Sequence, residues 1–336
     1  MSAKVQYFED YEVGQEGVTG TRTVGAPDIV AFACLTCDYA PVHVDRHLTA
    51  DGPYGGRIAH GLLGSSILTG LLSLYAPHIV GRNVPESHFY SFDTNYRGAI
   101  AIDDTIKIRW RVAEKRDDPD QPGFGFVATT FEVVNQEERS VYEGTVATKV
   151  RKREAQDQRL QFKAKKPWEI KELVIDPEKI YCLEDFLEGE GEFMAGRTFT
   201  EADVVNFVGL SGDYNPLYVD QVYAEKSSIG ERIVPGMLAF TAAFGFWARD
   251  GALTQAKSPG EATDAGHLND GATFLAPVKI GDTIRCLYKV DETRPSRTKP
   301  DRGILKFAFQ MINQRNEVVQ EGQTLMMRGT RATLKK

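Results

Sequence analysis

The stretch Leu35-Thr36-Cys37-Asp38-Tyr39-Ala40-Pro41-Val42-His43-Val44-Asp45 recurs from position 210 as Leu210-Ser211-Gly212-Asp213-Tyr214-Asn215-Pro216-Leu217-Tyr218-Val219-Asp220. No other feature constrains the fold as tightly, because whatever one half of the chain builds the other must build too. The register runs without insertion from Phe8 to Leu63, and Gly55-Gly56-Arg57-Ile58-Ala59-His60-Gly61-Leu62-Leu63 faces Gly230-Glu231-Arg232-Ile233-Val234-Pro235-Gly236-Met237-Leu238. With only two copies, each is a domain rather than a stacked repeat unit. The expected division is 1–150, a linker over 151–181, and 182–336. Arg151 to Lys171 is dense in Lys, Arg, Gln and Glu and reads as solvated.

The copies differ where chemistry is at stake. His43 follows Asp38 by five positions in copy one, whereas copy two has Tyr218 after Asp213. An Asp and a His can together manage a proton and a water molecule at neutral pH; an Asp and a Tyr mostly cannot. One working site in a duplicated fold is the expectation.

At 336 residues and 42% hydrophobic content the chain can bury a large core. A net charge of -7 and a pI near 5.5 argue against general affinity for nucleic acid or an anionic membrane, both of which need a basic surface. Met1 to Asp10 lacks the apolar core of a signal peptide, and no apolar run is long enough to span a bilayer, so a cytoplasmic location is expected. Four cysteines do not make a disulfide framework, and the Cys34-x-x-Cys37 spacing has no second pair and no echo at Gly209 and Gly212. Asp38, His43 and Asp45 could be drawn as metal ligands, but Asp220 repeats Asp45 in the copy without a histidine. Asp45 therefore reads as structural, and no metal is expected.

Each copy has the same order of elements. Helical spacing over Asp28 to Leu35 ends at the motif, and Asp203 to Leu210 repeats it. A second helix runs from about Gly61 to Tyr75 and stops at Pro77; its counterpart runs from Pro235 to Asp250-Gly251. Both are apolar nearly all round and should be buried. The period then changes to two, giving strands over Tyr90–Tyr96, Asp104–Val112, Gly125–Val133 and Glu143–Val150, matched by Ala272–Phe274, Asp282–Tyr288, Leu305–Ile312 and Gly322–Arg328. A long helix followed by an antiparallel meander implies an α+β fold with a sheet curled around the helix.

These motifs together, Asp-x-(Asn)-Pro-aliphatic-His, then Arg-Ile-x-His-Gly, a buried helix and a strand pair separated by Gly-Asp-Thr-Ile, resemble the MaoC-like (R)-specific enoyl-CoA hydratases. The resemblance covers nearly the whole chain apart from the linker and the loops Arg116 to Gln121 and Thr293 to Arg302. It implies two hot-dog domains in tandem, packed as a pseudo-dimer, with further association of two chains expected. The family's catalytic Asp and His fall on Asp38 and His43. Its Gly, whose backbone N–H helps bind the thioester oxygen, falls on Gly61, and its supporting helical Ser falls on Thr69. The family's Asn is Ala40 here and the Gly before the Asp is Cys37; copy two keeps Gly212, Asp213 and Asn215 but has Pro235 for His60.

The implied reaction is reversible addition of water across the 2,3 double bond of an acyl-CoA thioester, catalysed by a hydro-lyase without a cofactor, CoA being part of the substrate. It requires a positioned water, a proton for C2 and stabilisation of negative charge on the thioester oxygen. Pro41 interrupts helical hydrogen bonding, so the Asp38–His43 segment is expected to be too tight for a helix and to turn both side chains to one cavity. His43 is the expected base and Asp38 its partner. Gly61 lies where early helical N–H groups lack partners. His60 is expected to pack or cap at the helix entrance, with substrate contact as the less favoured role, and Tyr218 to fill the vacated site. Copy two would shelter the acyl chain or support the interface. Two other readings stand beside this one: a hot-dog thioesterase, and a non-catalytic acyl-thioester binding subunit.

Overall fold

The computed structural model describes residues 5–82, 84, 86–163, 165–176, 178–250, 257 and 267–335. Each copy begins with a leading helix, Ala26–Thr36 in copy one and Glu201–Ser211 in copy two, and continues into a central helix, Gly61–Tyr75 and Gly236–Asp250. Four long strands follow each central helix: His88–Tyr96, Thr105–Asp117, Phe124–Val134 and Ser140–Arg151, then His267–Phe274, Thr283–Pro295, Arg302–Ile312 and Val318–Gly329.

The eight strands form one continuous antiparallel sheet. Within each copy the first strand pairs with the fourth, the fourth with the third and the third with the second, and the two first strands pair with each other across the middle. Asp93 pairs with Gly271 and its flanking pairs are Thr94–Asp270 and Phe92–Ala272. Aligned through Asp104-Thr105-Ile106 and Asp282-Thr283-Ile284, Asp93 is the counterpart of Gly271, so a pseudo-twofold axis passes through that pair. A bulge between Phe89 and Ser91 is matched by one between His267 and Asn269, which confirms the alignment of the two strands.

Leu62 to Ser73 of the first central helix are all buried. Its hydroxyls are accommodated because they bond back along the helix: Ser65 to the Gly61 carbonyl, Ser66 to Leu62 and Thr69 to Ser66. The central helices also cross into the other domain at glycines. A Cβ on Gly70 would come within 1.8 Å of the Ser211 carbonyl oxygen, and one on Gly245 within 1.4 Å of that of Thr36. Each central helix is thus wedged against the end of the opposite leading helix. Two arginines lock these ends reciprocally: Arg22 pairs with Asp28 and donates to the Leu210 carbonyl at 2.6 Å, and Arg197 pairs with Asp203 and donates to the Leu35 carbonyl. A cation on the last carbonyls of a helix is favoured by both hydrogen bonding and the helix dipole. Arg197, from copy two, therefore fixes the helix end from which Asp38 emerges.

Three expectations need correction. The strands Thr105–Asp117 and Thr283–Pro295 run into stretches expected as loops, because bulges at Val112/Glu114 and Val290/Glu292 reset the alternation that marks a strand. The linker is largely exposed but is anchored, with Leu160 and Leu173 buried and Trp168 and Ile170 packed against the cluster of Leu287, Ile312 and Val318. The segment after Asp38 does return to helix, as a single turn over Pro41–Val44, since proline at the first helical position carries a φ already suited to it.

Candidate active site

The leading helix of copy one ends at Cys37, whose φ of 67° is left-handed; Gly212 takes the same place in copy two with φ 83°. A left-handed residue there reverses the chain and releases Asp38 from the helix. The Asp38 side chain accepts from Ala40 N at 3.2 Å, and Ala40 then caps the Pro41–Val44 turn that carries His43. Ala40 contributes its backbone here, whereas Asn215 in copy two caps the matching turn with its side chain, accepting from Leu217 N. Asp45 caps the following turn through His47 N and Leu48 N, the structural role read from its repetition.

Asp38, His43 and His60 converge, with one carboxylate oxygen and one nitrogen from each ring all within 4.8 Å of one another. His43 Nδ1 lies 3.0 Å from the Ile58 carbonyl, and His60 Nε2 lies 2.9 Å from the Asp38 carbonyl. A carbonyl only accepts, so each of these nitrogens carries the hydrogen and the lone pair sits on His43 Nε2 and on His60 Nδ1. The rings stack with centroids 3.9 Å apart, and Phe32 backs His60 at 4.9 Å. Burial, with the neighbouring His60 as a second cause, pushes His43 down to about 4, and burial likewise lowers His60. His43 is therefore a neutral imidazole with a free lone pair at physiological pH. The same three groups are close enough to hold a cation.

His60 is also the N-cap of the central helix, so Gly61 follows immediately. Leu63 N and Gly64 N already donate to the His60 carbonyl, which leaves the N–H groups of Gly61 and Leu62 ahead of the intrahelical ladder. Tyr96 lies over Gly61: a Cβ there would come within 2.9 Å of Tyr96 Cζ. Thr69 stands two turns further along, buried, with its hydroxyl spent on the Ser66 carbonyl.

Copy two is arranged differently. Tyr218 is buried beside Asp213, and burial, with the Asp213 charge as a second cause, raises the phenol well above its usual range. Burial raises Asp213 to about 6 despite the nearby Ser73 hydroxyl and Arg82 guanidinium. Tyr218, Asn215, Gly236 and Phe274 border a cavity of about 40 Å³.

Sequence reasoning missed three residues. His267, from copy two, is close enough to His43 to act on its charge; its Nδ1 lies 3.9 Å from Asp270 Oδ2, and Asp270 Oδ2 accepts from the Tyr96 hydroxyl at 2.7 Å. The signal was present in the second half of the repeat, where Phe89, Phe92 and Phe274 are the counterparts of His267, Asp270 and Tyr96.

Comparison with known proteins agrees with this architecture. The model of the MaoC like domain matches residues 10–134 and 186–304. A 3-hydroxybutyryl-CoA dehydratase of Methylorubrum extorquens is 33% identical over 111 residues, covering 33% of this chain and 66% of that protein. An (R)-specific enoyl-CoA hydratase of Rhodospirillum rubrum is 34% identical over 118 residues, covering 35% and 75%. Protein MaoC of Klebsiella aerogenes is 34% identical over 117 residues, and the chain spans only 32% of its length. Among solved structures, a putative MaoC domain protein dehydratase from Chloroflexus aurantiacus superposes with a TM-score of 0.74 at 17% identity, over 97% of this chain and 98% of that one. A Mycobacterium tuberculosis protein described as having a double hotdog fold gives 0.69 at 15%, over 96% and 98%. The fold is thus a tandem double hot-dog. The chain belongs to the family of MaoC-like dehydratase domains, which it contains twice. Among the described residues no helix is long and apolar enough to cross a membrane.

Proposed function

We propose that the protein is an (R)-specific enoyl-CoA hydratase/3-hydroxyacyl-CoA dehydratase, a hydro-lyase whose chemistry is confined to copy one. The observation that carries the reading is the tautomer of His43. With Nδ1–H committed to Ile58, Nε2 offers a lone pair beside the Asp38 carboxylate, in the loop that leads to an open helix N-terminus.

In the hydration direction a water held between Asp38 and His43 attacks C3 of the enoyl thioester. Its proton passes to His43 as the C3–O bond forms, and the C2–C3 π electrons move onto the thioester as an enolate. The Gly61 N–H, at the positive end of the helix dipole, receives the developing oxygen charge, a contribution of roughly 3–4 kcal/mol to the barrier for a donor of this kind. The enolate collapses as C2 takes a proton from the dyad, which restores the resting state. Dehydration is the reverse. The likeness to relatives named as dehydratase and hydratase supports the reaction class, and acyl-CoA is the corresponding substrate class.

The test is turnover of crotonyl-CoA and 3-hydroxybutyryl-CoA by the purified chain. Loss of enoyl absorbance without release of free thiol, with the (R) alcohol as product, is expected. Release of free CoA would make the protein a thioesterase. No turnover across a panel of enoyl-CoA and 3-hydroxyacyl-CoA thioesters would leave it a binding subunit.

A further inference from the structure

The pseudo-twofold axis allows each polar residue near the site to be compared with its own counterpart on the other side. Tyr96 lies over Gly61 as Phe274 lies over Gly236, where added Cβ atoms would come within 2.9 and 3.0 Å of the respective rings. Asp270, wholly buried, takes the Tyr96 hydroxyl; the corresponding pair opposite is Phe92 and Phe274, which cannot form such a bond. His267, held beside Phe244 at 5.1 Å between ring centroids, corresponds to Phe89, which stacks on Phe274 at 5.2 Å. All three positions are therefore phenylalanine around the copy that lacks the histidine, and Tyr, Asp and His around the copy that keeps it. A buried carboxylate is costly compared with phenylalanine, so its presence on this one side calls for a function there.

We infer that Asp270 and His267 of copy two, with Tyr96 of copy one, are positioning residues for the Asp38/His43 site: Asp270 holds Tyr96 against Gly61, and His267 stands beside Asp270. The inference rests on the hydratase reading for its meaning but not for its measurement. Tyr96 governs how the Gly61 backbone is presented to a thioester oxygen. His267 also bears on the charge of His43, as do Asp38 on the same loop and His60 at the helix entrance. The chemistry of copy one is thus completed by the domain that performs none.

Steady-state kinetics on crotonyl-CoA and NMR titration of His43 test this together, using the full chain. Tyr96→Phe keeps the ring over Gly61 and removes only the hydroxyl. It should lower kcat about tenfold, the size of one lost hydrogen bond, with KM within about twofold and Tm unchanged. Asp270→Leu should give the same loss, Asp270→Asn should restore part of it by keeping an acceptor, and the Tyr96→Phe/Asp270→Leu double variant should lose no more than either alone. In the titration, which needs no substrate, His267→Gln should move His43 upward. Unchanged kcat in Tyr96→Phe, or additive losses that track Tm, would overturn the inference. So would an unmoved His43 titration in His267→Gln, even if wild type proved inactive on every enoyl-CoA, which would refute the hydratase reading instead.

Discussion

His43 and His60 lie face to face, ring centroids 3.9 Å apart, each giving its only N–H to a backbone carbonyl. A proton on either ring would put a positive charge against its neighbour in a buried place. The acid limb of kcat/KM is therefore expected near pH 4, where His43 titrates, rather than near 6.5. His60→Phe keeps the stack but removes the second ionisable ring, so its limb should move upward. The linkage to stability has a definite sign. The unfolded chain takes up a proton at about 6.5 that the native His43 refuses until about 4, so stability falls on acidification through that window and is fully present above it.

Removing either member of the dyad should separate chemistry from folding. Asp38→Asn and His43→Gln are each expected to lower kcat by roughly 10²–10⁴-fold, with urea unfolding curves close to wild type. Tyr218→Phe should have a small effect. If Tyr218→Phe alone abolished turnover, the chemistry would lie in copy two.

Asp213 offers a stability measurement free of any substrate. Its native carboxyl titrates at about 6 against an ordinary value of 3.8, so ionising it inside the protein is unfavourable. The native state holds the proton longer, so the Asp213 contribution to stability should drop as pH rises from about 4 to 6, by on the order of 3 kcal/mol once complete. Asp213→Asn should remove this slope and raise Tm at pH 7 but not at pH 4. Because His43 changes stability in the opposite sense over the same range, the readout is the difference between Asp213→Asn and wild type, and a Tm difference that does not vary with pH would contradict the burial of this group.

The helix crossings predict severe effects from the smallest possible change. Gly70→Ala and Gly245→Ala each drive a methyl into a backbone carbonyl of the opposite leading helix, which no rotamer change relieves. A loss of about 3 kcal/mol or more is expected for either. Gly209→Ala, on the exposed side of a leading helix with nothing within 4 Å, is the control and should be neutral or slightly stabilising. Differential scanning calorimetry distinguishes these outcomes.

Much of this was legible in the sequence because duplication turns one chain into its own alignment. The bounds expected for the first central helix, Gly61 to Tyr75, are those observed, since a glycine opens it and a proline follows it. Asp38, His43 and His60, the residue before Gly61, converge because they occupy one short stretch ending at a helix N-terminus, a local arrangement that sequence can carry. The Pro41–Val44 turn was harder to see, because one helical turn has no periodicity to read. His267, Asp270 and Tyr96 were invisible for a different reason. They meet only across the paired first strands, and which strands pair at a domain junction is not encoded by the alternation within either strand.

The axis through Asp93 and Gly271 has an evolutionary consequence. Two identical subunits related by such an axis must carry every substitution twice, so no homodimer could place Asp and His on one side and two phenylalanines on the other. Joining the copies in one polypeptide removes that obligation, and each half becomes free to specialise. The same freedom makes the specialisation hard to reverse: were the first half cut loose and paired with itself, Tyr96 would meet Phe92 where it now meets a carboxylate.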